Sequence, residues 1–263
     1  MRRVSLFVFL AAIPCAAMAD PGSWEQVGQG GAWKGTIAGA VFHGKLFSAE
    51  DNGNLYMTNL GSGEWQQIGK TQFGGTKFLF AAGDHLCMIN KGGSMFHVDV
   101  ETGEKKQVGD QGAWKGTLAG SVLKGKLYTT EDNGGLYVTD TESGEWKQIG
   151  KAEFGATVFM FAARDHIFTI ENDGSLYKVD PSDGSWVQLG DAGAWKATLG
   201  GAVLKGRLYS TESNGGFYET NLENGKWVQL GKPDFGNTVF MFAAGENVYT
   251  IESDGSLYRV FVK

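Results

Sequence analysis

The sequence predicts an all-β fold, a six-bladed β-propeller of four-stranded antiparallel blades closed into a ring by its N-terminal strand. Three observations predict it. First, the motif W-x-Q-(V/I/L)-G recurs at 24–28, 65–69, 146–150, 186–190 and 227–231, with KKQVG in its place at 105–109. The steps are 41, 40, 41, 40 and 41 residues, a period that belongs to solenoids, propellers or arrays. Second, the chain between motifs breaks into short runs rich in Leu, Val, Tyr and Thr, separated by Asn-Gly and other glycine turns, which mark β-hairpins. Third, the ends are complementary: the N-terminal side supplies one surplus motif strand and the C-terminal side lacks one.

Taken in order, the first element is a leader. Arg2 and Arg3 precede an apolar run from Val4 to Ala17, and Ala17-Met18-Ala19 is a small-x-small cleavage site. This predicts a signal peptide over 1–19 and one domain over 20–263, built of three 81-residue double-blade repeats. The run is too short for an ordinary membrane span. Ala12-Ile13-Pro14 is a poor lipobox, so no lipid anchor is expected at Cys15. The formal charge of -6 becomes more negative once the two arginines leave. A net acidic chain without a basic run argues against nucleic acid and anionic membrane as partners. Cys87 then stands alone, so no internal disulfide holds the exported fold. With 41 Gly and only 4 Pro, the glycines read as tight turns rather than disorder.

The blade elements follow within 117–150: TLAGSVL, KLYTTE, LYVTDT and WKQIG, here strands a to d. The end of the chain gives TVFMFAA, NVYTIE and SLYRVFVK, which are a, b and c of a sixth blade. Trp24–Gly28 is the missing d strand, and a ring has a use for it because closure leaves only short protected edges. The inner a strands alternate in size. Odd blades carry Ala38-Gly39-Ala40, Ala119-Gly120-Ser121 and Gly200-Gly201-Ala202, and even blades carry Phe78-Leu79-Phe80, Phe159-Met160-Phe161 and Phe240-Met241-Phe242. Bulky residues of one blade are expected to fill the space left beside small ones. No inner strand carries Asp or Glu, so no channel metal is expected.

In a meander the a–b and c–d turns share one face, and the b–c turns and d-to-a links share the other. The second face gathers the distinctive residues. Its links bring Trp33-Lys34, Trp114-Lys115 and Trp195-Lys196 into odd blades, and Phe73, Phe154 and Phe235 into even ones. Its b–c turns open with Glu50, Asn90, Glu131, Glu171, Glu212 and Glu252. Aromatic faces with a few oriented polar groups are what sugar rings require. In that reading Trp33, Trp114 and Trp195 stack on sugar, Glu50, Glu131 and Glu212 accept hydroxyls, and Lys34, Lys115 and Lys196 orient the loop or donate. Phe73, Phe154 and Phe235 complete the rim. The structural alternatives stay open: the glutamates accept bonds from their own turns, and the link tryptophans wedge between blades. Trp24, Trp65, Trp146, Trp186 and Trp227 of the d strands read as packing. Cys87, aligned with Phe47, Tyr128, Phe168, Tyr209 and Tyr249, reads as a core residue.

The GxLYxV and DGSLY hairpins (173–177 and 254–258), the aliphatic-aromatic inner strands such as Phe78-Leu79-Phe80 and the outer-strand tryptophan resemble the tachylectin-like propeller lectins, and more loosely kelch and WD-repeat propellers. The resemblance implies a lectin-like binding protein. The sequence departs from it, since that family has five blades with longer repeats.

Catalysis is not expected. His43, His85, His97 and His166 fall at unlike strand positions, only His85 and His166 being equivalent, and neither a metal-ligand spacing nor a nucleophile elbow occurs. Beyond the leader the arginines are Arg164, Arg207 and Arg259, too scattered for the triad of six-bladed sialidases and too few for one per repeat as in six-bladed fucose lectins. The expectation is therefore a secreted or periplasmic glycan-binding propeller without cofactor or metal, with three main shallow sites on odd blades and room for three weaker ones. A protein-interaction scaffold of the cell envelope is the second reading, and an enzyme of unassigned type the third.

Overall fold

The computed structural model describes residues 19–263. The expected signal peptide, 1–19, lies outside the described residues apart from Ala19, and so does Cys15. After β1 (Trp24–Val27), blade one is β2 (Thr36–Phe42), β3 (Lys45–Glu50), β4 (Leu55–Asn59) and β5 (Trp65–Ile68). Blade two is β6 (Thr76–Ala82), β7 (His85–Asn90), β8 (Met95–Val98) and β9 (Lys105–Val108). Blade three is β10 (Thr117–Leu123), β11 (Lys126–Glu131), β12 (Leu136–Asp140) and β13 (Trp146–Ile149). Blade four is β14 (Thr157–Ala163), β15 (His166–Glu171), β16 (Leu176–Val179) and β17 (Trp186–Leu189). Blade five is β18 (Thr198–Leu204), β19 (Arg207–Glu212), β20 (Phe217–Asn221) and β21 (Trp227–Leu230). Blade six is β22 (Thr238–Ala244), β23 (Asn247–Glu252), β24 (Leu257–Val260) and, from the other end of the chain, β1.

Closure is by register: Trp24 pairs with Val260 and Val27 with Leu257, antiparallel. The fold is thus the six-bladed propeller that the repeat predicts. No helix long and apolar enough to cross a membrane occurs among the described residues.

The core is not a single centre. It is six apolar layers, one at each junction between neighbouring blades. A single blade has two apolar faces and cannot bury both alone, which is why the unit must repeat. The glycine that ends each motif belongs to these junctions. Gly28, with φ at 67°, lies so close to Gly63 in the c–d turn of blade one that a Cβ on Gly63 would stand 2.3 Å from the Gly28 Cα. Gly109 against Gly144 and Gly190 against Gly225 repeat the contact.

The junctions are of two kinds. The innermost strands pack closely within each pair, β2 on β6, β10 on β14 and β18 on β22, and stand further apart between pairs. Phenylalanines fill the wider gap. A Cβ on Gly39 would lie 2.7 Å from the Phe240 ring, and one on Gly201 2.7 Å from Phe161. The expected small-to-large complementarity is present at these two glycines, between an even blade and the odd blade that follows it, whereas Gly120 at the third wide junction meets only its own blade.

Candidate functional site

The link tryptophans are wedges. Trp33, Trp114 and Trp195 are only 2, 2 and 3% exposed. Each indole N–H points inward and donates to a threonine of the odd blade's c strand: Trp33 to Thr58 at 3.4 Å, Trp114 to Thr139 at 3.4 Å and Trp195 to Thr220 at 3.5 Å. Each backbone N–H donates to the b–c turn of the preceding blade, at Gly255, Gly93 and Gly174. The expected role as an open stacking platform is therefore corrected: the glycine seam and the threonine hold the ring between blades, and each tryptophan only borders a cleft. Phe73, Phe154 and Phe235 are buried wedges as well, so they too are withdrawn as ligand contacts.

Lys34, Lys115 and Lys196 are exposed. Their backbones press on the turn glycines Gly255, Gly93 and Gly174, and Lys34 also lines a cleft. The glutamates are buried at the strand ends. Thr36, Thr117 and Thr198 each donate a hydroxyl to one oxygen of Glu50, Glu131 and Glu212, at 2.8, 2.6 and 2.8 Å. Burial pushes these carboxyls above the usual range, and the threonine bond pulls them part of the way back. The donor is a hydroxyl of the inner strand rather than the turn N–H groups expected, and it occupies a single oxygen, so this structural bond and a place beside a cleft coexist.

Three equivalent clefts open on the odd blades, beside these glutamates. The first is lined by Ala32, Glu50, Asn52, Tyr56 and Trp65, the second by Ala113, Glu131, Asn133, Tyr137 and Trp146, and the third by Ala194, Glu212, Asn214, Tyr218 and Trp227. Their volumes are about 160, 160 and 170 Å³, small beside the roughly 300–1,000 Å³ of drug-sized pockets. The aromatic wall is an edge-on pair: Tyr56 with Trp65, Tyr137 with Trp146 and Tyr218 with Trp227, ring centres 4.7, 4.7 and 5.1 Å apart. Asn54, Asn133 and Asn214 donate to the three tyrosine hydroxyls, which fixes the phenols while leaving each O–H proton to give. On the floor of the third cleft Ser210 is fully buried with its hydroxyl unpartnered.

Trp65, Trp146 and Trp227 are 50, 46 and 53% exposed. The reading of outer-strand tryptophan as packing holds for one edge of the ring only. What leaves the indole N–H unoccupied in these clefts is a residue in the link. Even blades place Gln72, Glu153 and Asp234 before the wedge, where odd blades place Ala32, Ala113 and Ala194. Glu153 accepts the indole N–H of Trp186 at 2.9 Å, and Asp234 that of Trp24 at 3.2 Å. In blade two Lys105 replaces the tryptophan and donates to the Gln72 carbonyl at 2.9 Å, above the rings of Phe73 and Phe96. Odd blades have no such latch. A related hollow of about 190 Å³ lies on blade six around Trp24, Asp234, Glu252 and Tyr258.

No protein-family model matches the chain, and no curated protein sequence matches it significantly. Solved structures do match in fold. The chain is similar to YCF48 bound to D1 peptide, at 14% identity over 87% of this chain and 79% of that one, with a TM-score of 0.61. It is similar to virginiamycin B lyase from Staphylococcus aureus, at 11% identity over 92% and 99%, TM-score 0.62. It is similar to BamB from Moraxella catarrhalis, at 12% identity over 87% and 83%, TM-score 0.56. At such identities the likeness is one of architecture, and it places this chain among the β-propellers.

Proposed function

We propose that the protein is an exported, multivalent glycan-binding propeller whose sites are the three odd-blade clefts. The observation that carries this is the missing latch. Ala32, Ala113 and Ala194 leave the indole N–H of an exposed tryptophan open beside a tyrosine hydroxyl and a glutamate carboxyl, three times over. A sugar ring offers C–H faces to the aromatic corner and hydroxyls to the carboxyl and the indole. Each cleft is small and shallow, so one sugar per site binds weakly and three sites on one face supply avidity. The tachylectin-like motifs support the same reading. Binding rather than catalysis is inferred because the three clefts share one residue pattern, whereas an active site usually breaks symmetry.

A glycan array with wild type and a Trp65/Trp146/Trp227 triple-alanine variant tests the proposal. The expected result is binding that the triple change abolishes while the thermal transition stays in place. Absence of any bound glycan, or binding untouched by the triple change, overturns it.

A second reading, an interaction scaffold of the cell envelope, is favoured by a separate feature. Val158 and Val239 are exposed at the bulges near the b–c end of the inner strands. Partner capture that free sugars do not compete for, and that a Val158→Ser/Val239→Ser variant loses while the tryptophan variant keeps it, would favour the scaffold.

A further inference from the structure

We propose a transition-metal site of the zinc class at the junction of blades two and three, built from His85, His97 and Glu142. It lies on the face of the a–b and c–d turns, apart from the odd-blade clefts. One nitrogen from each histidine and one Glu142 oxygen all lie within 4.8 Å of one another. The His85 Nε2 is 3.2 Å from the Glu142 Oε1, and the two imidazoles stack at 3.9 Å with planes 8° apart. Two imidazoles and a carboxylate are a donor set that zinc accepts, with a fourth position left for water.

The hydrogen bonding assigns the ligand atoms. The Nε2 of His97 is 2.7 Å from the Thr141 carbonyl oxygen. A carbonyl only accepts, so this nitrogen carries a proton, and in the neutral ring the lone pair is then on Nδ1. A ligating histidine whose second nitrogen is held by a backbone carbonyl is the usual outer arrangement of a metal site. The stacked planes mean that the lone pairs converge only when one ring turns. His85 is free to turn, since its side chain is 37% exposed and that of Glu142 66%, while His97 is anchored. Across the strand pair from His97 stands Cys87, where the other blades carry Phe47, Tyr128, Phe168, Tyr209 and Tyr249. The smaller side chain leaves the imidazoles room to move.

The repeat supplies an internal control. At the junction of blades four and five the same positions hold His166, Lys178 and Glu223, and Glu223 is already paired with Arg164 at 2.5 Å. At the junction of blades six and one they hold Asn247, Arg259 and Gly61. There Arg259 donates to the Leu60 carbonyl at 2.8 Å, the counterpart of the bond from His97 to Thr141. The fold therefore asks this position only for a donor. A second histidine and a carboxylate around an acceptor nitrogen occur at one junction of the three, so duplication does not account for them.

Calorimetric titration of the untagged protein with Zn²⁺ alone, together with Co²⁺ absorption, tests the site. The expected result is one saturable equivalent, weakened by more than about tenfold in His85→Gln, His97→Gln and Glu142→Gln. His166→Gln at the sister junction should leave it unchanged. Glu142 lies in an exposed turn, so its variant keeps the test valid if a histidine change disturbs folding. Wild type that takes up no saturable equivalent, or an equivalent that survives both Glu142→Gln and His85→Gln, overturns the proposal.

Discussion

In blades one, three and five the incoming link buries a tryptophan, the c strand meets it with Thr58, Thr139 or Thr220, and alanine precedes it. In blades two, four and six the link buries a phenylalanine, the c strand meets it with Val98, Val179 or Val260, and Gln72, Glu153 or Asp234 precedes it. The threonine is present where the wedge has an N–H to satisfy and absent where it has none. Before the wedge, an acidic residue stands where the outer indole N–H is occupied, at Glu153 and Asp234, and alanine stands where that N–H is open. Three positions, two adjacent in the link and one in the c strand, thus change together, and a single exchange in one blade type is expected to have a different cost from the same exchange in the other.

The largest effect is expected at the wedge. Trp114→Ala removes a buried ring and leaves the Thr139 hydroxyl without its donor. Large-to-small changes of this kind cost about 3–5 kcal/mol. Trp146→Ala, an exposed residue only one strand away, should cost under about 1 kcal/mol while emptying the blade-three cleft. Chemical denaturation of the two variants side by side checks the contrast. Equal costs would mean that the two tryptophans do not divide structure and surface between them.

This contrast also shows what could be read from residues alone. The period, the surplus N-terminal strand and the alternation at Gly39 and Phe240 are local or periodic features, and they give the ring, its closure and its paired blades. The exposure of Trp33 is neither. It is set where Gly28, Gly63 and Thr58 meet, and these come together only when the ring closes. The outer Trp65 is open because nothing follows an edge strand outward, a fact about position rather than residue type. One signal was present: threonine in c strands of odd blades and valine in even ones marks a buried N–H beside the tryptophan and none beside the phenylalanine. The exchange of alanine for Glu153 and Asp234 marks the latch in the same way. The histidine cluster gave no spacing because Glu142 belongs to the next blade.

The wide junctions come next. Gly39→Ala places a methyl 2.7 Å from the Phe240 ring. Overpacking of this kind costs about 1–3 kcal/mol. Gly120→Ala, whose nearest neighbour would be 3.3 Å away, should cost less. Melting temperatures of both variants rank the two junctions directly.

Exchanging latches should move binding rather than stability. Ala113→Glu places a carboxylate beside the Trp146 indole and should lower the affinity of the blade-three cleft by about tenfold, or ~1.4 kcal/mol. Glu153→Ala frees the Trp186 N–H and should add a fourth site on blade four. Glycan stoichiometry by calorimetry, falling in the first variant and rising in the second, would sharpen the odd-even comparison. An unchanged count in both would break it.

The smallest effect concerns the buried glutamates that both blade types share. Glu171 accepts from Thr157 through one oxygen, while its Oε2 has no partner. Burial holds its carboxyl above the ordinary range, against the threonine bond that lowers it. A carboxyl whose folded pKa is raised favours the fold in its protonated form. That contribution is fully present below the unfolded value of about 4.3 and is lost as pH rises through the folded value. Glu171→Gln keeps an acceptor for Thr157 and never ionises, so at neutral pH it should be more stable than wild type. The gain should shrink as pH falls and vanish below pH ~4. Denaturation midpoints of the two proteins between pH 4 and 8 check this, and a gain that does not vary with pH would show that the orphaned oxygen, not its charge, is what the junction bears.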